Sequence, residues 1–87
     1  MTLGDGSNTD TITVNFIAQA ANLTAVIDEL EGTAGDTSIV NILDATADTA
    51  ANTVIYTGNI GDTISVTQLN VGSATQAGKA TISGVAE

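Results

Sequence analysis

Hydrophobic and polar residues alternate along several stretches of the chain, which is the pattern of half-buried β-strands. In the first stretch, Ile12, Val14 and Phe16 alternate with Thr and Asn residues. β-branched side chains such as Thr, Ile and Val favour a pleated strand. Residues 53–57 and 80–83 have a similar composition and are predicted as further strands. The pattern predicts a mainly β fold of about six strands.

A different spacing occurs at residues 22–31. The apolar residues of this segment recur at three- and four-residue intervals: Leu23, Val26, Ile27 and Leu30. Asn22 is a suitable N-cap, and Gly32 is a suitable stop. We therefore predict one short helix near residues 22–31. A strand at residues 24–27 is the alternative, because the 26-residue repeat of the chain favours it.

The chain repeats itself with a period of 26 residues. Five columns are identical in three successive copies: Gly6, Gly32 and Gly58; Asp10, Asp36 and Asp62; Thr11, Thr37 and Thr63; Val14, Val40 and Val66; Ala25, Ala51 and Ala77. A fixed period of this length indicates a repeat architecture. We predict a single domain, 1–87, with internal repeats at about 6–31, 32–57 and 58–83. Three such repeats would form a small β-sandwich or barrel, or a short β-solenoid.

Two segments lack hydrophobic periodicity. Residues 44–52 and 72–78 consist largely of Ala, Thr, Gly, Ser and Asp. This composition predicts loops or loose turns.

The charge of the chain restricts its partners. Ten carboxylates and a single basic side chain, Lys79, give a net charge of −9. Because nucleic-acid binding requires a basic surface, we expect no nucleic-acid partner. No apolar run approaches the length of a membrane span, so we expect no membrane insertion. The N-terminal sequence has neither a positive region nor an apolar core, and we expect no signal peptide there.

The composition also argues against catalysis. The chain has no His and no Cys, which are the commonest general bases, thiol nucleophiles and soft metal ligands in proteins. We therefore predict that the protein is not an enzyme. The absence of Cys also excludes disulfides, so a domain of this size needs metal binding or self-association for additional stability.

The strongest local motif is Gly-Asp-Thr before a predicted strand. It occurs at residues 35–37 and 61–63, and Thr9-Asp10-Thr11 takes its place in the first copy. Its simplest interpretation is turn formation, in which glycine adopts a positive φ and the Asp side chain accepts backbone N–H groups. The predicted structural turns contain these glycines: Gly6, Gly32, Gly35, Gly58 and Gly61.

Calcium binding is the alternative interpretation of the same turns. Stacked repeats would bring Asp10, Asp36 and Asp62 to one edge, with Asp5, Asn8 and Asn59 close in sequence. Ca²⁺ is bound by six to eight oxygen ligands of this kind. Segments 4–14, 32–40 and 58–66 resemble the calcium-binding glycine–aspartate repeats of bacterial toxins, adhesins and surface-layer proteins. The repeat here is far longer than that family's nine-residue unit and offers one Asp per turn.

These observations predict a non-catalytic structural or assembly protein. The first expectation is a small virion subunit, such as a phage head decoration or cement protein, or a filament subunit, that self-associates or binds a protein lattice. The alternative is a β-repeat module of a bacterial surface layer or adhesin, ordered by calcium. A third idea is an ice- or glycan-binding β-domain, for which Tyr56 is the single aromatic candidate. The expected location is a virion or an extracellular surface assembly.

Overall fold

The fold is described from a computed structural model, which covers residues 1–7, 9–45 and 52–87. Most of the loop predicted at 44–52 lies outside these residues, as does Asn8. Asp44 itself ends a strand and is buried.

The described chain consists of strands and connecting turns, which confirms the prediction of a mainly β fold. The six strands are β1 (Thr11–Ala18), β2 (Leu23–Leu30), β3 (Thr37–Asp44), β4 (Val54–Ile60), β5 (Gln68–Val71) and β6 (Ala80–Ile82). β4 and β6 include most of the strands predicted at 53–57 and 80–83. No helix that could cross a membrane occurs in the described part of the chain.

The strands form two parallel sheets of three strands each. The strand order is β1-β3-β5 in the first sheet and β2-β4-β6 in the second. The chain therefore alternates between the sheets, and each pair of successive strands adds one rung: β1 with β2 is the first rung, β3 with β4 the middle rung, and β5 with β6 the last. Both sheets are open and have two edges, so the predicted barrel is wrong.

The spacing between paired residues varies from rung to rung. Thr11 pairs with Thr37 and Val54 with Ala80, both at the 26-residue spacing of the sequence. Ile39 pairs with Gln68 and Leu23 with Val54, at spacings of 29 and 31 residues. The period seen in the sequence thus matches two of the four strand pairings.

The helix predicted at residues 22–31 is wrong, because this segment forms β2. Leu23 and Ala25 pair with Val54 and Tyr56 of β4. The helical spacing placed Val26 on the apolar face of the predicted helix, but its side chain points outward and is 70% exposed. A register shift between Val26 and Glu29 then returns Leu30 to the core. This β-bulge places Ile27 and Leu30 on the same side at a three-residue spacing, which imitates a helix.

The core is closed most completely in the middle rung, while outside it Leu3, Ala18 and Leu30 are also buried. Side chains of both sheets meet there, and Val40, Ile42, Val54 and Tyr56 are all 0% exposed. The Phe16 ring of the first rung meets Tyr56 edge-on, with 5.6 Å between ring centroids. The matching apolar residues of the first and last rungs are only partly buried. Both ends of the stack therefore expose the ends of the apolar columns.

Candidate functional site

One group of sequence-predicted site residues meets at the turn before β1. The carboxylate of Asp36, which precedes β3, accepts hydrogen bonds from three backbone N–H groups of the N-terminal turn. One oxygen accepts from Asp5 at 3.1 Å and from Gly6 at 3.0 Å, and the other accepts from Asp10 at 3.0 Å. The Asp side chain therefore holds the turn of one rung against the next, which is a cross-rung version of the turn role predicted for it.

The same contact brings three carboxyl groups together. Oxygens of Asp5, Asp10 and Asp36 lie within 4.8 Å of one another. Asp5 accepts a hydrogen bond from the Ser7 N–H at 3.0 Å, and that bond lowers the pKa of Asp5. Asp62 is not part of this group, and its carboxylate lies 3.5 Å from the Asn59 side-chain nitrogen. The structure thus joins Asp10 and Asp36 with Asp5 and places Asp62 at another turn.

A second acidic contact lies after β2, where sequence reasoning assigned no role. The Glu31 carboxylate accepts hydrogen bonds from the backbone N–H groups of Thr63 and Ile64, the latter at 2.6 Å. Asn59 donates its side-chain N–H to Glu29 at 3.1 Å. Glu31 therefore fixes the turn that leads into the last rung, as Asp36 fixes the turn that leads into the first.

Glu29 and Glu31 lie side by side and titrate in opposite directions. The Ile64 N–H lowers the pKa of Glu31. The Asn59 amide favours the ionised form of Glu29, but Glu31, partial burial and Asp62 outweigh it and raise the pKa of Glu29. One oxygen of Glu29, Oε2, is buried without a hydrogen-bond partner among the described residues. Ionised Glu29 therefore opposes folding, and ionised Glu31 favours it.

Substitution of these two residues is expected to have opposite effects. Glu29→Gln removes a repelled charge, and its amide supplies a donor toward Glu31, so we expect Tm at pH 7 to rise by about 2–4 °C. Glu31→Gln weakens the bonds from Thr63 and Ile64 and should lower Tm by about the same amount. Thermal unfolding followed by circular dichroism between pH 3 and pH 7 measures both.

The pH dependence provides the control for this pair. A raised pKa means that stability is lost as pH rises through the carboxyl range, and a lowered pKa means that stability is lost as pH falls through it. The gain of Glu29→Gln should therefore vanish below the pKa of an ordinary Glu, whereas the loss of Glu31→Gln should vanish only at lower pH, below the lowered pKa of Glu31 itself. Equal shifts of the same sign at pH 7 would contradict the assignment.

The glycines predicted to form turns occupy several different environments. Gly6, Gly35 and Gly61 lie in turns and have positive φ. Gly32 follows β2, where a Cβ would meet the backbone of Ser65. Gly58 has a positive φ but lies within β4 rather than in a turn.

An amide ladder follows the outward face of the first sheet. The side chain of Asn41 donates to the Oδ1 of Asn15 at 2.9 Å, and Asn70 donates to the Oδ1 of Asn41 at 2.9 Å. The three residues belong to β1, β3 and β5, so the ladder crosses all three rungs. The sequence indicates part of this ladder, because Asn15 and Asn41 are separated by one 26-residue period. Asn70 does not follow the period, because it lies 29 residues after Asn41.

The arrangement connects rungs rather than forming a cavity. No pocket is found in the part of the chain that the structure describes. Several polar side chains of the turns accept hydrogen bonds from backbone groups of the neighbouring rung, as when Asn22 accepts from the Thr53 N–H at 2.8 Å and Asn59 from the Val85 N–H at 2.9 Å. Chemically, the acidic turn at Asp36 offers oxygen ligands to a hard cation, and the outer rungs offer unpaired strand edges.

Asp36→Ala is expected to destabilise the protein more than Asp62→Ala. Removal of the Asp36 carboxylate leaves three backbone N–H groups without their acceptor, and we expect the free energy of unfolding to fall by about 2 kcal/mol. Asp62 is exposed, and its removal should change the free energy by at most about 0.5 kcal/mol. Urea denaturation in the presence of a chelator measures both values. Similar losses for the two variants would refute the anchoring role of Asp36.

Comparison with known proteins adds no family assignment. A scan against protein-family models finds no match, and searches of curated proteins and of solved structures find no significant match either.

Proposed function

We propose that the chain is a non-catalytic structural subunit, a short β-solenoid that self-associates or adds to a protein lattice. A small virion protein of the head decoration or cement type, or a filament subunit, has this role. The observation that supports the proposal most is the core that is closed in the middle rung and open at both ends. Exposed apolar side chains at the two ends of the stack provide surfaces for association with a partner. A domain that functions alone would be more stable if these side chains were covered.

The edges of the sheets support the same proposal. β1 and β2 form one end of the stack, and β5 and β6 form the other. Edge strands present backbone N–H and C=O groups that another strand can pair with. At a net charge of −9 with one basic side chain, copies of this chain attract each other through apolar and backbone contacts rather than through salt bridges.

The chemistry of the described residues favours a structural role over catalysis. The acidic and amide side chains of the turns are used to hold adjacent rungs together, as at Asp36 and Glu31. The chain lacks His and Cys, so it has no imidazole for acid–base chemistry and no thiol nucleophile. A virion or an extracellular surface assembly is the location that this function implies.

Sedimentation velocity at neutral pH, over a hundredfold range of protein concentration and both with and without a chelator, tests the proposal. We expect the mean mass to rise with concentration and to remain independent of the chelator. A monomer of 8.6 kDa at every concentration would contradict self-association. In that case lattice binding would be the only form of the proposal left to test.

A calcium-ordered module of a bacterial surface layer or adhesin is the second candidate. The observation that favours it is the approach of Asp5, Asp10 and Asp36 to within 4.8 Å. Asp10→Asn is the sharpest test, because the hydrogen bond from Asp10 to Asp36 uses the backbone N–H and is retained. Calorimetric titration should show calcium binding that Asp10→Asn weakens at least tenfold and Asp62→Asn leaves unchanged. The absence of calcium heat at millimolar concentration would rule this candidate out.

A further inference from the structure

We propose that copies of this chain stack head to tail, the last rung of one copy pairing with the first rung of the next, with the Asn15 side chain of one copy donating to Asn70 of the other. This inference rests on the proposed function and specifies its partner, a second copy of the chain. It names the contact that directs assembly, which the proposed function leaves open.

The amide ladder is the first argument, because its two ends are complementary. All of its hydrogen bonds run in one direction, from Asn70 to Asn41 and from Asn41 to Asn15. The ladder therefore ends at one edge with the Nδ2 donor of Asn15 and at the other with the Oδ1 acceptor of Asn70, and neither has a partner among the described residues. A copy placed on the last rung continues the ladder with the same bond. Ladders of this kind stabilise stacked parallel strands.

The apolar columns are the second argument. The inward column of Val14, Val40 and Leu69 runs through the three rungs beside that of Phe16, Ile42 and Val71. The middle members are 0% exposed, whereas Val71 at the end is 51% exposed. Stacking in the register of the ladder places Val14 beside Leu69 and Phe16 beside Val71. The same contact that satisfies the amides thus covers both open ends of the core.

The positions of the two chain ends agree with this register. Thr2 pairs with Glu31 at the end of β2, and Ala86 pairs with Ile60 at the end of β4, which itself pairs with Leu30. The first and last residues therefore lie at the same corner of the stack and are three rungs apart. In a continuous stack, residues 1–3 of one copy and 85–87 of the other compete for the same place beside Glu31 and Ile60, and one of the two segments is displaced.

The geometry makes a prediction about the assembly that forms. The contact joins two different surfaces of the chain, so it is heterologous and does not close, and it generates open-ended rods. Three rungs at a strand separation of about 4.8 Å give a rise of about 14 Å per subunit, which is close to the shortest dimension of the molecule, 16 Å. Because each copy is acidic, salt promotes growth by screening the repulsion.

Asn15→Asp is the selective test of the stacked contact. Asp keeps the oxygen that accepts from Asn41, so the ladder within one copy survives. It replaces the outward donor by a charged oxygen that would face the Asn70 oxygen of the next copy. We expect the association constant to fall roughly 10–100-fold, the effect of a buried acceptor left without a donor.

Thr57→Glu is the matched control, since it adds one negative charge to the exposed face of β4 in the middle rung, away from both edges. Sedimentation velocity and electron microscopy at low salt and at about 0.5 M NaCl, where screening is strong, measure all three proteins. Wild type and Thr57→Glu should form rods in high salt, and Asn15→Asp should remain small. Fibre diffraction of the rods should show a meridional reflection near 4.8 Å.

A truncated chain without residues 85–87 provides an independent check, because it removes the overlap at the shared corner. We expect the truncated chain to stack more strongly than wild type. This result does not depend on whether the Asn15→Asp variant is stable. A closed dimer or trimer, or rods that Asn15→Asp does not weaken, would overturn head-to-tail stacking and leave the proposed function standing. A chain that stays monomeric in every condition would overturn head-to-tail stacking together with the self-associating form of the proposed function.

Discussion

Gly58→Ala is expected to leave the protein largely unfolded at room temperature. Gly58 lies within β4 at φ +123°, a backbone conformation that residues with a Cβ rarely adopt. A Cβ at this position would overlap the carbonyl oxygen of Ile27 and press on that of Asp28, both on the adjacent strand β2. Neither strand can move away without loss of the pairing that forms the second sheet. We expect a loss of about 4 kcal/mol or more, most of the stability of a small domain.

Gly35→Ala is the matched control for this effect. Gly35 also has a positive φ, +91°, but a Cβ there would meet no atom within 4 Å. Only backbone strain opposes the substitution, and we expect a loss of about 1 kcal/mol. Urea denaturation followed by circular dichroism measures both variants. If Gly58→Ala cost no more than Gly35→Ala, the close approach of β2 and β4 would be wrong.

The second large effect is expected at alkaline pH and arises from Tyr56. Its side chain is 0% exposed, and its hydroxyl donates to the backbone oxygen of Ile27 at 3.1 Å. Burial raises the pKa of Tyr56, and the charges of Glu29 and Asp28 raise it further. The unfolded chain therefore releases the phenolic proton first, at the ordinary pKa near 10. Above that pH, stability should fall by about 1.4 kcal/mol per pH unit until the folded state also ionises.

The composition makes this effect simple to measure, because Tyr56 is the only tyrosine and the chain has no tryptophan. Absorbance at 295 nm follows its ionisation directly, and circular dichroism follows unfolding in the same sample. We expect the two transitions to coincide above pH 10. Tyr56→Phe should cost about 1 kcal/mol at neutral pH through the lost hydrogen bond and should flatten the alkaline decline. A phenol that titrates at its ordinary pKa in a folded chain would contradict the buried position.

The strands were predictable where apolar and polar residues alternate and the segment is also rich in β-branched residues. Ile12, Val14 and Phe16 face the core from β1, while their polar neighbours face outward. The helical spacing of residues 22–31 misled for a physical reason, since the bulge between Val26 and Glu29 changes which residues face inward. A local pattern does not reveal a bulge that is imposed by pairing with a distant strand.

The candidate site was predictable only in part. Asp10 and Asp36, two members of the same column of the repeat, do meet, because the pairing of Thr11 with Thr37 has the period of the sequence. Asp62 does not join them, since the spacing between the middle and last rungs is three residues longer. At that corner Glu31 binds the backbone of Thr63 and Ile64, and it belongs to no repeated column. Its role follows from the position of the rungs and not from any motif.

Residue-resolved amide hydrogen exchange, measured by NMR at several protein concentrations, tests most directly whether the stack is closed in its middle rung and open at both ends. In dilute solution we predict the slowest exchange in β3 and β4 and fast exchange at the outer edges of β1 and β5. Raising the concentration should slow exchange in β1 and β5 together, as copies cover the two ends. Edge strands that are as protected as β3 at every concentration, or that never gain protection, would contradict a stack with open ends that copies of the chain cover.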